Sequence, residues 1–350
     1  MKTPSIRIEE VTHRYGDILA IKNATFEVAS GEVVCLLCPS GCGKTTILRV
    51  SSGIERLQEG RIIIDDVIVA DGSNSQVSAE KRGIGMVFQD SALFPHLTVE
   101  GNISFGLKGY SKNVRREIVS ELLKGVGLDS YAKKYPHTLS GGEQQRVALL
   151  RALAPNPSVM FMDEPFSSLD IKLRTQVRDD AIKILKDRGV ATIFVTHDFE
   201  EAMLTADRII LMKEGKIIQI GRPEELYNKP KNQFVASFFG DINVTHAIVD
   251  KNEAKTIFGT IKVPFPHGSR ICLMVRPEDL FVEELDDSDE NYEIFVKEKR
   301  ELGAYTLLQL IKKSSSDVIF ARVLRKNSPK LGSKVIIQLD QPRAFVFPVN

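Results

Sequence analysis

No stretch of this chain approaches the roughly 18 uninterrupted apolar residues that a membrane-crossing helix needs. Its start, Met1-Lys2-Thr3-Pro4-Ser5, runs into amphipathic sequence rather than an apolar signal core. A secreted or membrane-spanning chain is therefore not expected. Charge of one sign is equally scarce: 47 basic residues face 46 acidic ones, for a net charge of +1, and there is no long basic run. Without a global positive field, nucleic acid is not expected as a main partner. Cysteine is sparse too. Cys35, Cys38, Cys42 and Cys272 show neither paired C-x-x-C spacing nor the density of a disulfide framework, which fits a reducing cytoplasm. Internal repeats and low-complexity tracts are also missing.

What is present suffices for two domains, since 350 residues exceed one ordinary core. From Ile6 to about Gly240, short β-rich runs alternate with helical stretches, the texture of a layered α/β domain. Val33 to Leu37, Val159 to Met162 and Ala191 to Val195 are almost wholly apolar. That suits strands covered on both faces of a parallel sheet. Each is followed by polar chemistry, at 38–45, Asp163-Glu164 and Thr196-His197-Asp198, where open α/β sheets place their ligands. Between about 94 and 155 the pattern turns helical, with apolar residues at helical spacing from Arg115 to Val126; this reads as an inserted helical subdomain. Beyond 240, short runs (271–275, 306–311, 318–320, 335–337) separated by turns and charges predict a small all-β, barrel-like domain over 241–350.

Residues 38–45 read Cys-Pro-Ser-Gly-Cys-Gly-Lys-Thr between a buried strand and a helix. Glycines let successive N–H groups converge on phosphates, a lysine meets the terminal phosphate oxygens and a hydroxyl serves Mg²⁺. Gly41, Gly43, Lys44 and Thr45 fill these positions, with Ser40, Cys42 and Thr46 beside them. Cys38 departs from the pattern, which begins with glycine, and its Cβ is expected to weaken nucleotide affinity. A Cys38–Cys42 redox link is conceivable, but the favoured reading takes both as small buried hydrophobes.

Ser140-Gly141-Gly142-Glu143 forms a capping box for a helix that Pro155 ends. A cap does not account for two glycines in the first turn, whereas bare N–H groups facing an anion do. The chain then has a second phosphate site, most economically one that serves a nucleotide held by another copy. Asp163 and Glu164 point to different sides of a strand end. As a bland alternative, they cap the next helix.

Taken together, the nucleotide loop, Leu139-Ser140-Gly141-Gly142-Glu143 and Met162-Asp163-Glu164-Pro165 resemble the ATP-binding cassette family over nearly the whole chain. The resemblance implies a P-loop NTPase-type sheet with an inserted helical subdomain, and a C-terminal OB-like β-barrel of the kind regulating importer ATPases, around Val275-Arg276-Pro277-Glu278-Asp279-Leu280. It implies ATP and Mg²⁺ as cofactors. Glu164 would be the base, His197 a γ-phosphate contact, and Gln89 a sensor of metal and water. Thr45, Gln89 and Asp163 would serve Mg²⁺. Tyr15 would stack on adenine, while Ser140, Gly141, Gly142 and Asp170 would act across a head-to-tail homodimer.

Two membrane permease subunits, an indirect periplasmic or surface solute-binding protein, and a peripheral place on the cytoplasmic membrane face follow from the same resemblance. Tyr135-Pro136-His137 and the segments 151–157 and 163–170 look most like ferric-iron importers. Sugar, polyamine, sulfate and phosphonate importers stay open, as do a soluble non-transport cassette ATPase and a degenerate ATP sensor. The acidic run from Glu283 to Glu290 is read as a solvated loop.

Overall fold

The computed structural model describes residues 4–39, 41–72, 76–285, 293–313 and 317–349, the side chains of 171, 172 and 341 apart. Ser40 and most of the acidic run lie outside these. Two compact units divide the chain, 1–224 and 225–350.

The first unit opens with β1 (Pro4–Tyr15) and β2 (Ile18–Ala29), followed by β3 (Val33–Leu37), α1 (Lys44–Ser52), β4 (Glu59–Ile64), β5 (Val67–Asp71) and β6 (Ile84–Val87). Three helices follow: α2 (Val99–Ser104), α3 (Lys112–Gly125) and α4 (Gly141–Leu153). Then come β7 (Val159–Asp163), α5 (Ile171–Asp187), β8 (Ala191–Thr196), α6 (Phe199–Thr205), β9 (Arg208–Lys213) and β10 (Lys216–Gly221). An antiparallel sheet runs in the order β2-β1-β4-β5, and a six-stranded sheet runs β10-β9-β3-β8-β7-β6. In the latter all neighbours are parallel except β10 on β9.

The three apolar runs became β3, β7 and β8, with β8 between the other two. Val33 to Leu37 are fully buried, as are Phe161 and Ile193. Burying each such side chain contributes about 1.5–3 kcal/mol. Register then aligns the strand ends: Leu37 opposes Thr196, and Asp163 opposes Val195. Buried hydrophobic strands thus bring three polar segments to one edge.

The helices between β6 and β7 hold a core of their own, in which Val119, Leu122 and Leu123 of α3 meet Val99 and Ile103 of α2 and Val147 and Leu150 of α4. Ser111 caps α3 by accepting from the Val114 N–H.

In the second unit, α7 (Pro223–Asn228, whose first two residues belong to the first unit) and α8 (Gln233–Phe238) precede strands only. These are β11 (Asn243–Asp250), β12 (Glu253–Thr256), β13 (Gly259–Lys262), β14 (Arg270–Val275), β15 (Leu280–Glu284), β16 (Ile294–Leu302), β17 (Tyr305–Lys312), β18 (Val318–Leu324), β19 (Val335–Leu339) and β20 (Phe345–Pro348). They form antiparallel sheets β13-β12-β11-β14-β20, β15-β19 and β16-β17-β18 over one core containing Ile271, Leu273, Leu308 and Leu310.

Sequence texture put the boundary near 240, whereas the compact units part at 224. The reason is Arg276, a fully buried side chain whose guanidinium donates to the Tyr227 and Phe239 carbonyls at 3.1 Å each. It also stacks 3.7 Å over the Tyr227 ring. Helical texture hid a segment that the β unit owns. Burial, followed by a hydrogen bond to Glu278, pushes the Tyr227 hydroxyl up to about 12.

Candidate nucleotide site

At the end of β3 the chain turns through the glycine loop into α1. Gly43, the residue before α1, has φ 99°, and a Cβ there would lie 2.1 Å from the Ala20 carbonyl oxygen. Only glycine fits. Gly41 (φ 83°) has open space around it, so its glycine answers to conformation alone. Lys44 and Thr46 are nearly buried.

The structure joins Cys38 and Cys42 through their sulfurs, against the reading of two free hydrophobic thiols. Both side chains face the core, 0% and 7% exposed. Their Cα atoms are 6.4 Å apart, within the roughly 4.4–6.8 Å that a disulfide spans. The bridge therefore lies beneath the loop, within the hydrophobic cluster that includes Ile47 and Leu48.

Glu164 follows β7 with a left-handed backbone, φ 45°, an uncommon state for a non-glycine residue and one that clusters at functional sites. Its Oε1 lies 3.2 Å from His197 Nδ1 and 3.9 Å from Lys44 Nζ. Base candidate, imidazole and loop lysine thus meet, although they come from three different strand ends.

Asp163 takes another direction, with the Thr45 hydroxyl donating to its Oδ1 at 3.4 Å. Burial, then the adjacent Glu164 charge, raises the Asp163 carboxyl above its ordinary range. A cation there relieves both causes. Two protein oxygens and a nucleotide's phosphates are the donor set that Mg²⁺ uses, so Thr45 and Asp163 fit the ion. Gln89 is engaged elsewhere: its amide donates to Ser167 Oγ at 3.3 Å, and Ser167 donates to the Glu164 carbonyl at 3.0 Å.

The start of α4 carries the expected capping box. The Ser140 N–H donates to the Glu143 carboxylate at 2.7 Å, and the Glu143 N–H donates to Ser140 Oγ at 3.4 Å. The Ser140 backbone bond, above all, holds the Glu143 carboxyl below its usual range. The two glycines have different reasons. Gly142 is buried, and a Cβ there would meet the Leu173 side chain at 2.5 Å, so close packing accounts for it. Gly141 is exposed and meets nothing nearer than Leu169 at 3.6 Å, so packing does not require it. Asp170 caps α5 by accepting from the Leu173 N–H at 3.1 Å. Tyr15 is 42% exposed, edge-on to His13, with its hydroxyl bonded to Glu55.

Sequence reasoning missed several residues. Ser167, between Gln89 and Glu164, stood in the quoted acidic-strand segment without a role. Glu201 is buried, its carboxyl raised by burial, and it faces Thr196. Gln145 and Arg151 of α4 also escaped, because nothing in one sequence tells a helix position that grips a loop from one that faces solvent.

A parallel sheet that gathers a glycine loop, a lysine, a paired acid and a histidine at its strand ends defines a P-loop ATPase. A family model described as ABC transporter matches residues 21–167. Across 98% of its length the chain is 37% identical to a Fe(3+) ions import ATP-binding protein, FbpC, of Fusobacterium nucleatum, 93% of which is covered. It is 36% identical to a sulfate/thiosulfate import ATP-binding protein, CysA, of Bacillus cereus, over 98% of each chain. It is 39% identical to a spermidine/putrescine import ATP-binding protein, PotA, of Vibrio parahaemolyticus, over 95% of this chain and 92% of that one.

Among solved structures, cbiO1 from Clostridium perfringens, part of the ABC transporter complex cbiONQ, gives a TM-score of 0.60 at 30% identity, over 65% of this chain and 92% of that one. A dimeric bacterial ABC transporter cassette gives 0.55 at 32%, over 62% and 98%. The chain belongs to the ABC transporter family, as an ATP-binding and ATP-hydrolysing import subunit. Among the described residues no helix is long and apolar enough to cross a membrane.

Proposed function

We propose that this ATPase works as a head-to-tail homodimer beneath two membrane permease subunits, at the cytoplasmic membrane face, closing on Mg²⁺ and ATP and reopening after hydrolysis. The observation that carries the reading is Glu164 Oε1 between His197 Nδ1 at 3.2 Å and Lys44 Nζ at 3.9 Å. Bound Mg²⁺ would be held by Thr45 and Asp163 and would supply charge neutralisation of the phosphates. Lys44 and the loop N–H groups bind the phosphates, Glu164 takes a proton from water, and His197 orients Glu164 and meets the γ-phosphate. The exposed Gly141 N–H and the Ser140 hydroxyl complete the partner copy's nucleotide, with Asp170 alongside, and Tyr15 stacks on adenine.

The cargo proposed is ferric iron, on the resemblance of segments 135–137, 151–157 and 163–170. The 39% identity to a protein named for spermidine and putrescine favours polyamine as the competing reading. Purifying the intact membrane complex and measuring which loaded solute-binding protein stimulates ATP turnover tests both. Stimulation by a ferric-ion carrier alone supports iron, and stimulation by a polyamine carrier removes it.

A further inference from the structure

Between β6 and α2 the loop that carries Gln89 adopts an unusual backbone. Ser91 and Ala92 are consecutive non-glycine residues at φ 59° and 42°, in the left-handed region that an L side chain adopts at a cost. Something must hold them there. No glycine, aspartate or asparagine occupies either position, and the local hydrogen bonds, Ser91 N–H to Phe88 O and Ala92 N–H to Asp90 O, stay within the turn itself.

The grip comes from α4, the helix that Ser140 caps. Arg151 donates to the Ala92 carbonyl at 2.7 Å and to the Ser91 carbonyl at 3.2 Å. Its guanidinium also lies 5.2 Å over the Phe94 ring. One turn into the same helix, Gln145 accepts from the Ser91 hydroxyl at 2.5 Å, both residues being buried. A guanidinium fork that engages two successive carbonyls fixes the direction of both peptide planes, which a lysine's single ammonium on a flexible stem does not. Gln145 Nε2 is buried with no partner among the described residues, and a buried donor left so costs stability.

We propose that Gln145 and Arg151 are positioning residues that hold the Ser91–Ala92 kink left-handed, so that α4 sets where the Gln89 side chain points. The inference deepens the function proposed above and rests on it. Because α4 begins at the residues assigned to the partner copy's nucleotide, engagement of that nucleotide reaches Gln89 of the same chain through one rigid helix. Arg151 lies eleven residues from Ser140, about 17 Å along the axis.

The test exploits backbone preference. Ser91→Ala and Ser91→Gly delete the same hydroxyl, but only glycine adopts the left-handed state freely. Steady-state ATP turnover of the full-length protein is measured with Mg²⁺. Ser91→Ala is expected to lower kcat about tenfold with KM for ATP within twofold of wild type, whereas Ser91→Gly stays within about threefold in kcat. In parallel, Arg151→Lys is expected to lose kcat at unchanged KM, and adding Ala92→Gly to it restores most of the loss.

Equal kcat for the two Ser91 variants, or a more active Ser91→Ala, overturns the proposal whether or not Arg151→Lys folds. A failure of Ala92→Gly to rescue a folded, slow Arg151→Lys protein does the same. Glu164→Gln in the same assay keeps the two levels apart. If wild type turns over and Glu164→Gln does not, equal Ser91 variants refute only the positioning role. If wild type and Glu164→Gln turn over alike, the underlying site assignment falls and takes this one with it.

Discussion

Replacing Glu164 with glutamine keeps the shape of the side chain and removes its charge and basicity. The carboxylate Oε1 now meets His197 Nδ1 at 3.2 Å and Lys44 Nζ at 3.9 Å, on a side chain 18% exposed. A positioned general base contributes about 10²–10⁴ in rate, or about 2.7–5.4 kcal/mol of barrier at 25 °C. Binding should move the other way. Lys44 loses a competing anion, so ATP is held as tightly as in wild type or more so, and the closed dimer accumulates. Phosphate release with saturating Mg²⁺ and ATP measures the rate, titration with a fluorescent ATP analogue measures affinity, and gel filtration with ATP reports the dimer. Turnover within a few-fold of wild type would refute the assignment of Glu164 as base.

Cys38→Gly removes the sulfur bridge and restores the usual loop start; calorimetric ATP affinity is expected to equal or exceed that of wild type, and clearly weaker binding would show that Cys38 carries no penalty. Gly142→Ala forces a methyl against Leu173 and should lower Tm by several degrees, whereas Gly141→Ala should leave Tm alone and cut turnover at least tenfold. Acidification tests Asp163. Because its carboxyl is raised above the ordinary 3.8, the charged form is lost as pH falls through a value above that range. Mg²⁺ affinity of the ATP complex should then weaken at a higher pH than an ordinary aspartate predicts, and Asp163→Asn should flatten that dependence. Glu143 has the opposite sign: its carboxyl is depressed, so the cap's contribution is present above the ordinary 4.5 and is lost as pH falls through the lower folded value, visible as a Tm that drops in Glu143-intact protein but less in Glu143→Ala.

How much of this was legible beforehand depended on what kind of force was at work. Strands buried on both faces announce themselves as unbroken apolar runs, so β3, β7, β8 and the polar residues at their ends could be read directly. The capping box was legible for the same local reason, since Ser140 and Glu143 are three residues apart in the sequence. Long-range polar contacts left no such trace. Arg151 to the 91–92 carbonyls and Arg276 to the carbonyls of Tyr227 and Phe239 join residues tens of positions apart, and main-chain acceptors have no residue identity to read. Nor does the sequence separate the two glycines of the α4 start: Gly142 has a steric neighbour, Leu173, that only packing reveals, and Gly141 has none so close. The Cys38–Cys42 bridge left no trace either, since two cysteines four residues apart read the same whether bridged or free.

Arg276 also determines where this polypeptide can be divided. A fragment ending at 240 would keep α7 and α8 but lose the guanidinium that donates to the Tyr227 and Phe239 carbonyls, and Ala236, which packs on Cys272 and Met274, would be stripped of its cover. Such a piece would carry a sticky, half-melted tail. Ending at 224 hands both helices to the portion that shelters them, and grafting a foreign sensor module onto this motor should use that seam.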